Sequence, residues 1–152
     1  MSLTATKNET SVTVRRIFPY SQDKLWAAWT EPEALKKWFH PGPDLMTPEA
    51  EVDLRVNGRY HFLIHTSHVQ GEYQEVDPPN KLVFTWYWRD FEHLTTLVTV
   101  EFVPIGSAET EVVLTHERFQ NSEERDSHTE GWYGCFVELE RFLEGVSKQV
   151  GK

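Results

Sequence analysis

Cysteine and methionine are scarce in this 152-residue chain, which carries one Cys, Cys135, and two Met. A lone thiol excludes an intramolecular disulfide framework and points to a reducing compartment, most simply the cytoplasm. Long apolar runs are missing too. None approaches the ~20 residues that a membrane-crossing helix requires, so no membrane insertion is expected. The polar start MSLTATKNET lacks the apolar stretch of a secretory signal. Basic charge is short: 15 Lys and Arg stand against 24 Asp and Glu, for a formal net charge of −9. The deficit is uneven, −2 over residues 1–76 and −7 over residues 77–152. Affinity for nucleic acid comes largely from counterions released around Lys and Arg, so this balance argues against a nucleic-acid partner. No internal repeat, nucleophile elbow, phosphate-cradling loop or dinucleotide fingerprint is present.

What the chain has instead is aromatic mass: six Trp, five Tyr and nine Phe. The length suits a single domain able to bury a real core. We expect that domain over residues 11–146, with residues 1–10 and 147–152 as flexible ends.

Residues 11–18 alternate Val12, Val14, Arg16 and Phe18 and read as a strand. Pro19 ends it, and Ser21 is placed to cap a helix carrying Leu25, Trp26 and Trp29. Thr30-Glu-Pro-Glu33 has capping-box spacing, with Thr30 as the cap of a second short helix through Ala34, Leu35 and Trp38. Residues 39–48, with three prolines and a glycine, form a loop. From Glu49 to Glu117 the pattern has period two. Around Asn57-Gly58 a three-residue loop, Val56–Gly58 with Gly58 left-handed, pairs Leu54 with Tyr60 and Val52 with Phe62. That register gathers Ala50, Val52, Leu54, Tyr60, Phe62 and Ile64 on one face and sends Glu51, Asp53, Arg55, Arg59, His61 and His65 to the other. Strands at 71–76, 82–88, 95–103 and 109–117 follow, turning Trp86, Trp88 and His116 inward. The last element is a helix from Asn121 or Ser122 to a cap at Gly145, with Trp132, Phe136, Leu139, Leu143 and Val146 on one face. Gly131 and Gly134 within it either permit a close approach or leave room beside the helix. One antiparallel sheet with a single apolar face and one long amphipathic helix predict an α+β fold in which the sheet curls around the helix.

Few residues here promise chemistry. His61 and His65, four strand residues of ~3.3 Å apart, sit about 13 Å from each other, beyond the reach of one metal ion. His40, His68 and His93 fall in loops without a cluster of ligands, so neither a metal nor another cofactor is expected. Cys135 reads as a small core filler, and Glu138, Glu140 and Glu144 as solvated charges. His116 lies on the inward face, and His128 extends the Trp132 stripe by one turn. They could orient a ligand or move a proton near neutral pH. The alternative is a buried imidazole hydrogen-bonded within the core.

Several segments in order, Leu25-Trp26-Ala27-Ala28-Trp29-Thr30, Trp38-Phe39, Asp53 to Tyr60, Gly71-Glu72-Tyr73, Val76-Asp77-Pro78-Pro79 with Leu82 to Trp86, Thr110 to Glu117 and Gly131-Trp132, span nearly all of residues 12–145. In these the chain resembles the START-like (SRPBCC) superfamily of helix-grip fold. It is most similar to the branch related to the C-terminal domain of the activator of the heat-shock-protein-90 ATPase. The chaperone-binding N-terminal domain of the eukaryotic activator has no counterpart here. The resemblance implies a cavity between sheet and helix that binds a small hydrophobic molecule, aromatic or lipid-like. Its expected lining is Trp38, Phe39, Tyr60, Phe62, Trp86, Trp88, His116, Trp132 and Phe136, with residues 39–48 as a rim. Two alternatives stay open: a cyclase- or hydrolase-like enzyme using His116 and His128 in the same cavity, and a protein-interaction domain with a chaperone or a second copy of itself as partner.

Overall fold

Strict alternation of apolar and polar residues over most of the chain produces eight strands, arranged around one long helix in a computed structural model. It describes the backbone of residues 3–150 and the side chains of residues 7–146. In chain order the elements are β1 (Leu3–Lys7), β2 (Val12–Phe18), α1 (Gln22–Thr30), α2 (Pro32–Trp38), β3 (Glu49–Val52), β4 (Arg59–Ile64), β5 (Ser67–Asp77), β6 (Lys81–Trp88), β7 (Thr96–Ile105), β8 (Glu109–Glu117) and α3 (Ser122–Val150). The strands form one sheet in the order β1-β2-β8-β7-β6-β5-β4-β3, every pair antiparallel. The sheet is a curved, open one, its apolar face packed on α3 with α1 and α2 closing one end, which is the helix-grip architecture expected.

The core follows from the two periodicities. Val12, Val14, Leu82, Phe84, Trp86, Val98, Val100, Phe102, Val112 and Leu114 are all buried on the sheet side. Trp132, Phe136, Leu139 and Leu143 meet them from α3. Each such large side chain contributes roughly 1.5–3 kcal/mol by leaving water. Arg16 on β2 reaches Glu140 on α3 in an ion pair, and the exposed Arg141 holds the buried Glu138, so two of the carboxylates expected in solvent are instead paired.

Several local expectations need correction. Thr30 is not the cap of α2: its hydroxyl donates to the Trp26 carbonyl at 2.8 Å as the last residue of α1. Glu31 caps α2 without a side-chain bond, and Pro32 supplies the fixed first-turn backbone. The hairpin register is shifted by two, with Val52 opposite Tyr60 and Ala50 opposite Phe62. The side-chain faces survive a shift of two, but Leu54 falls outside the strand and is 37% exposed. The cause is a longer turn. Asn57, not Gly58, takes the left-handed conformation at φ 69°. The Asn57 amide donates to the Tyr73 carbonyl and the Tyr73 amide to the Gly58 carbonyl, so the turn folds over and adds to β5. His68 lies on β5 and not in a loop. At the ends, residues 3–7 pair with β2, and α3 runs past Gly145 to Val150. Residues 1–2 and 151–152 lie outside the described residues.

The start of α3 is held by Asn121, whose side-chain oxygen accepts from the Glu124 amide at 2.9 Å. Asn121→Ala should lower the free energy of unfolding by about 1 kcal/mol, the usual worth of such a cap, read from urea denaturation.

Candidate functional site

The inward turn of β8 places His116 beneath α3, with no solvent exposure. Its hydrogen bonds fix its protonation. Indole nitrogens only donate, so Trp132 Nε1 donates to His116 Nδ1 at 3.0 Å, which makes Nε2 the protonated nitrogen. His116 Nε2 then donates to Thr96 Oγ1 at 2.7 Å, and that hydroxyl donates to the Trp86 carbonyl at 3.0 Å. His128 repeats the arrangement one turn along α3. Its Nε2 accepts from Trp88 Nε1 at 3.1 Å, so Nδ1 donates to the Glu124 carbonyl at 2.8 Å. The two imidazoles lie 5.1 Å apart, centre to centre. Burial drives the His116 pKa well below the ordinary histidine value, helped by the neighbouring His128. Burial lowers that of His128 too, partly opposed by the hydrogen bond to the Glu124 carbonyl and by the Glu124 charge. Both rings are therefore neutral, with both nitrogens engaged.

Beside this network the packing opens. An inner cavity of about 280 Å³ lies between sheet and α3, walled by Phe39, Pro41, Ile64, Trp86, Trp88, Ser127, His128, Gly131, Trp132 and Cys135. None of these carries a formal charge. A second, outer cavity of about 530 Å³ shares Trp86, Trp88, Ser127 and His128 with it and extends past Arg89, Asp90 and Phe91. One wall, crossed by the Trp88–His128 hydrogen bond, thus serves both. The two glycines of α3 have separate reasons. A Cβ at Gly134 would stand 1.8 Å from the Pro41 carbonyl oxygen, so this glycine lets the 39–48 loop close against the helix. A Cβ at Gly131 would meet open space.

Of the residues expected to line a cavity, Phe39, Trp86, Trp88 and Trp132 do so, and His128 joins them. Trp38 is fully buried and donates its indole N–H to the Ala28 carbonyl. Phe136 is equally buried, tilted against Phe18 and edge-on to Trp29. Phe62 borders only a space of about 10 Å³; Tyr60 shares it, also borders a separate cleft of about 490 Å³ with Glu49, Arg59 and His61, and donates its hydroxyl to the Thr85 carbonyl. His116 buttresses Trp132 from behind and lines neither the inner nor the outer cavity. Ile64, Pro41, Ser127 and Cys135 were not singled out by sequence; the strand register and the i, i+4, i+8 spacing of Ser127, Gly131 and Cys135 would have placed them there. Burial pushes the Cys135 thiol up, away from reactivity. On the outer sheet face His61 Nε2 lies 2.6 Å from His68 Nδ1, a contact that the loop assignment of His68 concealed. Among the described residues no group of three or more His, Cys, Asp or Glu is placed to hold a metal, and no helix is long and apolar enough to cross a membrane.

Residues 19–144 match the model of the family described as Activator of Hsp90 ATPase homolog 1-like protein. The chain belongs to that family. The family is a branch of the START-like superfamily, as the segments from Leu25 to Trp132 suggested. No curated protein matches the chain at significance. Solved structures do. A Rhodobacter sphaeroides protein is 21% identical, with TM-score 0.79, over 95% of this chain and 99% of its own. CalU16 from Micromonospora echinospora is 20% identical, with TM-score 0.72, over 98% and 88%. An HSP90 activator from Plasmodium falciparum is 26% identical, with TM-score 0.64, over 93% and 96%. The first two likenesses concern the fold alone. Membership of the Hsp90-activator-like family is consistent with a hydrophobic ligand or a protein partner.

Proposed function

We propose that this member of the Hsp90-activator-like family binds a small hydrophobic molecule, with a flat aromatic portion, in the inner cavity between sheet and α3. The observation that carries the reading is the uncharged space walled by the rings of Phe39, Trp86, Trp88 and Trp132. Protein interiors are packed as densely as organic crystals, so a ring-lined opening of this size in such a core has the character of a ligand site. The neutral His128 imidazole at its edge suits an uncharged portion of the guest, and the Trp–His bonds hold two of the rings in place. A buried single thiol suits a cytoplasmic carrier.

Gly131 supplies the test. It lines the cavity with open space where a side chain would go, and glycine inside a helix costs about 1 kcal/mol relative to alanine. Gly131→Leu should fill the cavity while leaving Tm unchanged or higher. Binding of 1-naphthol, followed by quenching of tryptophan fluorescence, should weaken by at least about tenfold. Undiminished binding in that variant would remove the reading.

A second reading follows from the family match and the likeness to the Plasmodium falciparum HSP90 activator: a chaperone of the Hsp90 class as partner, met through the acidic second half of the chain. Co-purification with such a chaperone that weakens as salt is raised would support it.

A further inference from the structure

The outer cavity carries information on the ligand that the inner one does not. Its charged lining is Asp90 and Glu124 against the single Arg89, in a chain of net charge −9. Neither carboxylate accepts a hydrogen bond or ion pair among the described residues. The Arg89 guanidinium, by contrast, lies against Gln70, whose amide oxygen is 3.4 Å from both Nε and Nη2. Aromatic rings share the lining with the carboxylates: Trp88, Phe119 and Phe91, the last 53% exposed. Trp86 walls both cavities, so one molecule can touch it from either side.

Resting on the ligand-binding reading above, we infer that the occupant is a cationic amphiphile: a flat apolar body in the inner cavity carrying an ammonium head into the outer one. Rings and carboxylates together are the surroundings that favour an organic cation, through the negative faces of the rings and direct charge attraction. The overall negative field adds steering toward a cation and away from an anion. An anionic head, whether carboxylate or phosphate, would face two carboxylates for one guanidinium. The shared wall of Trp86, Trp88, Ser127 and His128 places head and body within one small molecule's length.

Three probes with one body test this: 1-naphthylmethylammonium, 1-naphthol and 1-naphthylacetate, titrated against the full chain in 0.15 M salt with tryptophan fluorescence as the readout. The expected order is ammonium tightest, by roughly tenfold over naphthol, and acetate weakest. In Asp90→Asn/Glu124→Gln that preference should vanish, with the naphthol affinity unchanged. This double change leaves most of the overall charge in place, so loss of the preference assigns it to the cavity. Equal affinity for ammonium and naphthol, a preference for the acetate, or a preference that survives the double change would each overturn the cationic head. If none of the three binds, or if Gly131→Leu binds all three as the parent does, the inner-cavity reading itself fails and this inference falls with it.

Discussion

His116→Leu should lower the free energy of unfolding by about 2–4 kcal/mol, measured by urea denaturation, although leucine is apolar and of similar bulk. Apolar residues at buried sites usually help; here the loss comes from what the imidazole satisfies. Trp132 Nε1–H would lose its acceptor and Thr96 Oγ1 its donor, both in buried residues. An orphaned buried group costs about 1–3 kcal/mol, more than the net gain from the bond when made. Adding Trp132→Phe should therefore recover part of the loss, because removing both partners removes the orphan. A coupling energy of about 1–2 kcal/mol in the double-mutant cycle is the expected signature. A neutral or stabilising His116→Leu would mean that the relay from Trp132 to the Trp86 carbonyl is incidental. The same geometry bears on the acid–base alternative. A proton arriving at His116 Nδ1 would meet the Trp132 N–H, so proton transfer there requires the ring to leave its partner first.

Which parts of this molecule are legible in its sequence follows from what depends on periodicity and what depends on distance. The inward placement of His116 needed only counting by twos from Val112 and Leu114, and burial enforces that count on a one-sided sheet. The α3 stripe from Trp132 to Leu143 was equally plain. The turn at 53–58 was not, because its geometry comes from Tyr73, a residue in a different strand, which pairs with Asn57 and Gly58. The length of the loop therefore could not be read from the loop. Aromatics posed a related problem. All of the candidate rings face the core, but Trp38, Tyr60, Phe62 and Phe136 are closed in by neighbours, whereas Phe39, Trp86, Trp88 and Trp132 border open space. Gly131 leaves room and Gly134 admits the Pro41 backbone; the sequence offered both roles for the two glycines, and only the fold assigns one to each. The carboxylates Glu138 and Glu140 were misplaced for the same reason: off the apolar stripe by angle, they still reach Arg141 and Arg16.

Acid should loosen the domain well above the pH at which its carboxylates titrate. His116 and His128 have folded-state pKa values below the ordinary 6.5 of the unfolded chain, the first by burial and its proximity to His128, the second by burial less the pull of the Glu124 carbonyl and charge. Above pH 6.5 both states hold these rings neutral and the full stability is present. Below it the unfolded chain takes up protons that the folded one refuses, so stability falls with pH until the folded values are reached. The slope is at most about 1.4 kcal/mol per pH unit for each ring. Between pH 7.5 and 5.5 the loss should come to about 2 kcal/mol, with His116 contributing throughout and His128, the less strongly shifted of the two, over a narrower range. The groups that face the pair are Trp132, Thr96 and Phe119 around His116, none of them charged, and Trp88, Trp86 and Glu124 around His128; the Glu124 charge and carbonyl favour a proton on His128, but burial outweighs them. Urea midpoints collected across this range should fall toward acid, and in His116→Leu the slope should drop by about half or more while remaining above zero. A midpoint flat from pH 7.5 to 5.5, or one that rises on acidification, would mean that the imidazoles accept protons in the folded chain. Trp132 and Trp88 would then have to yield their bonds to His116 and His128 without unfolding, and the shared wall of the two cavities would open and close with pH.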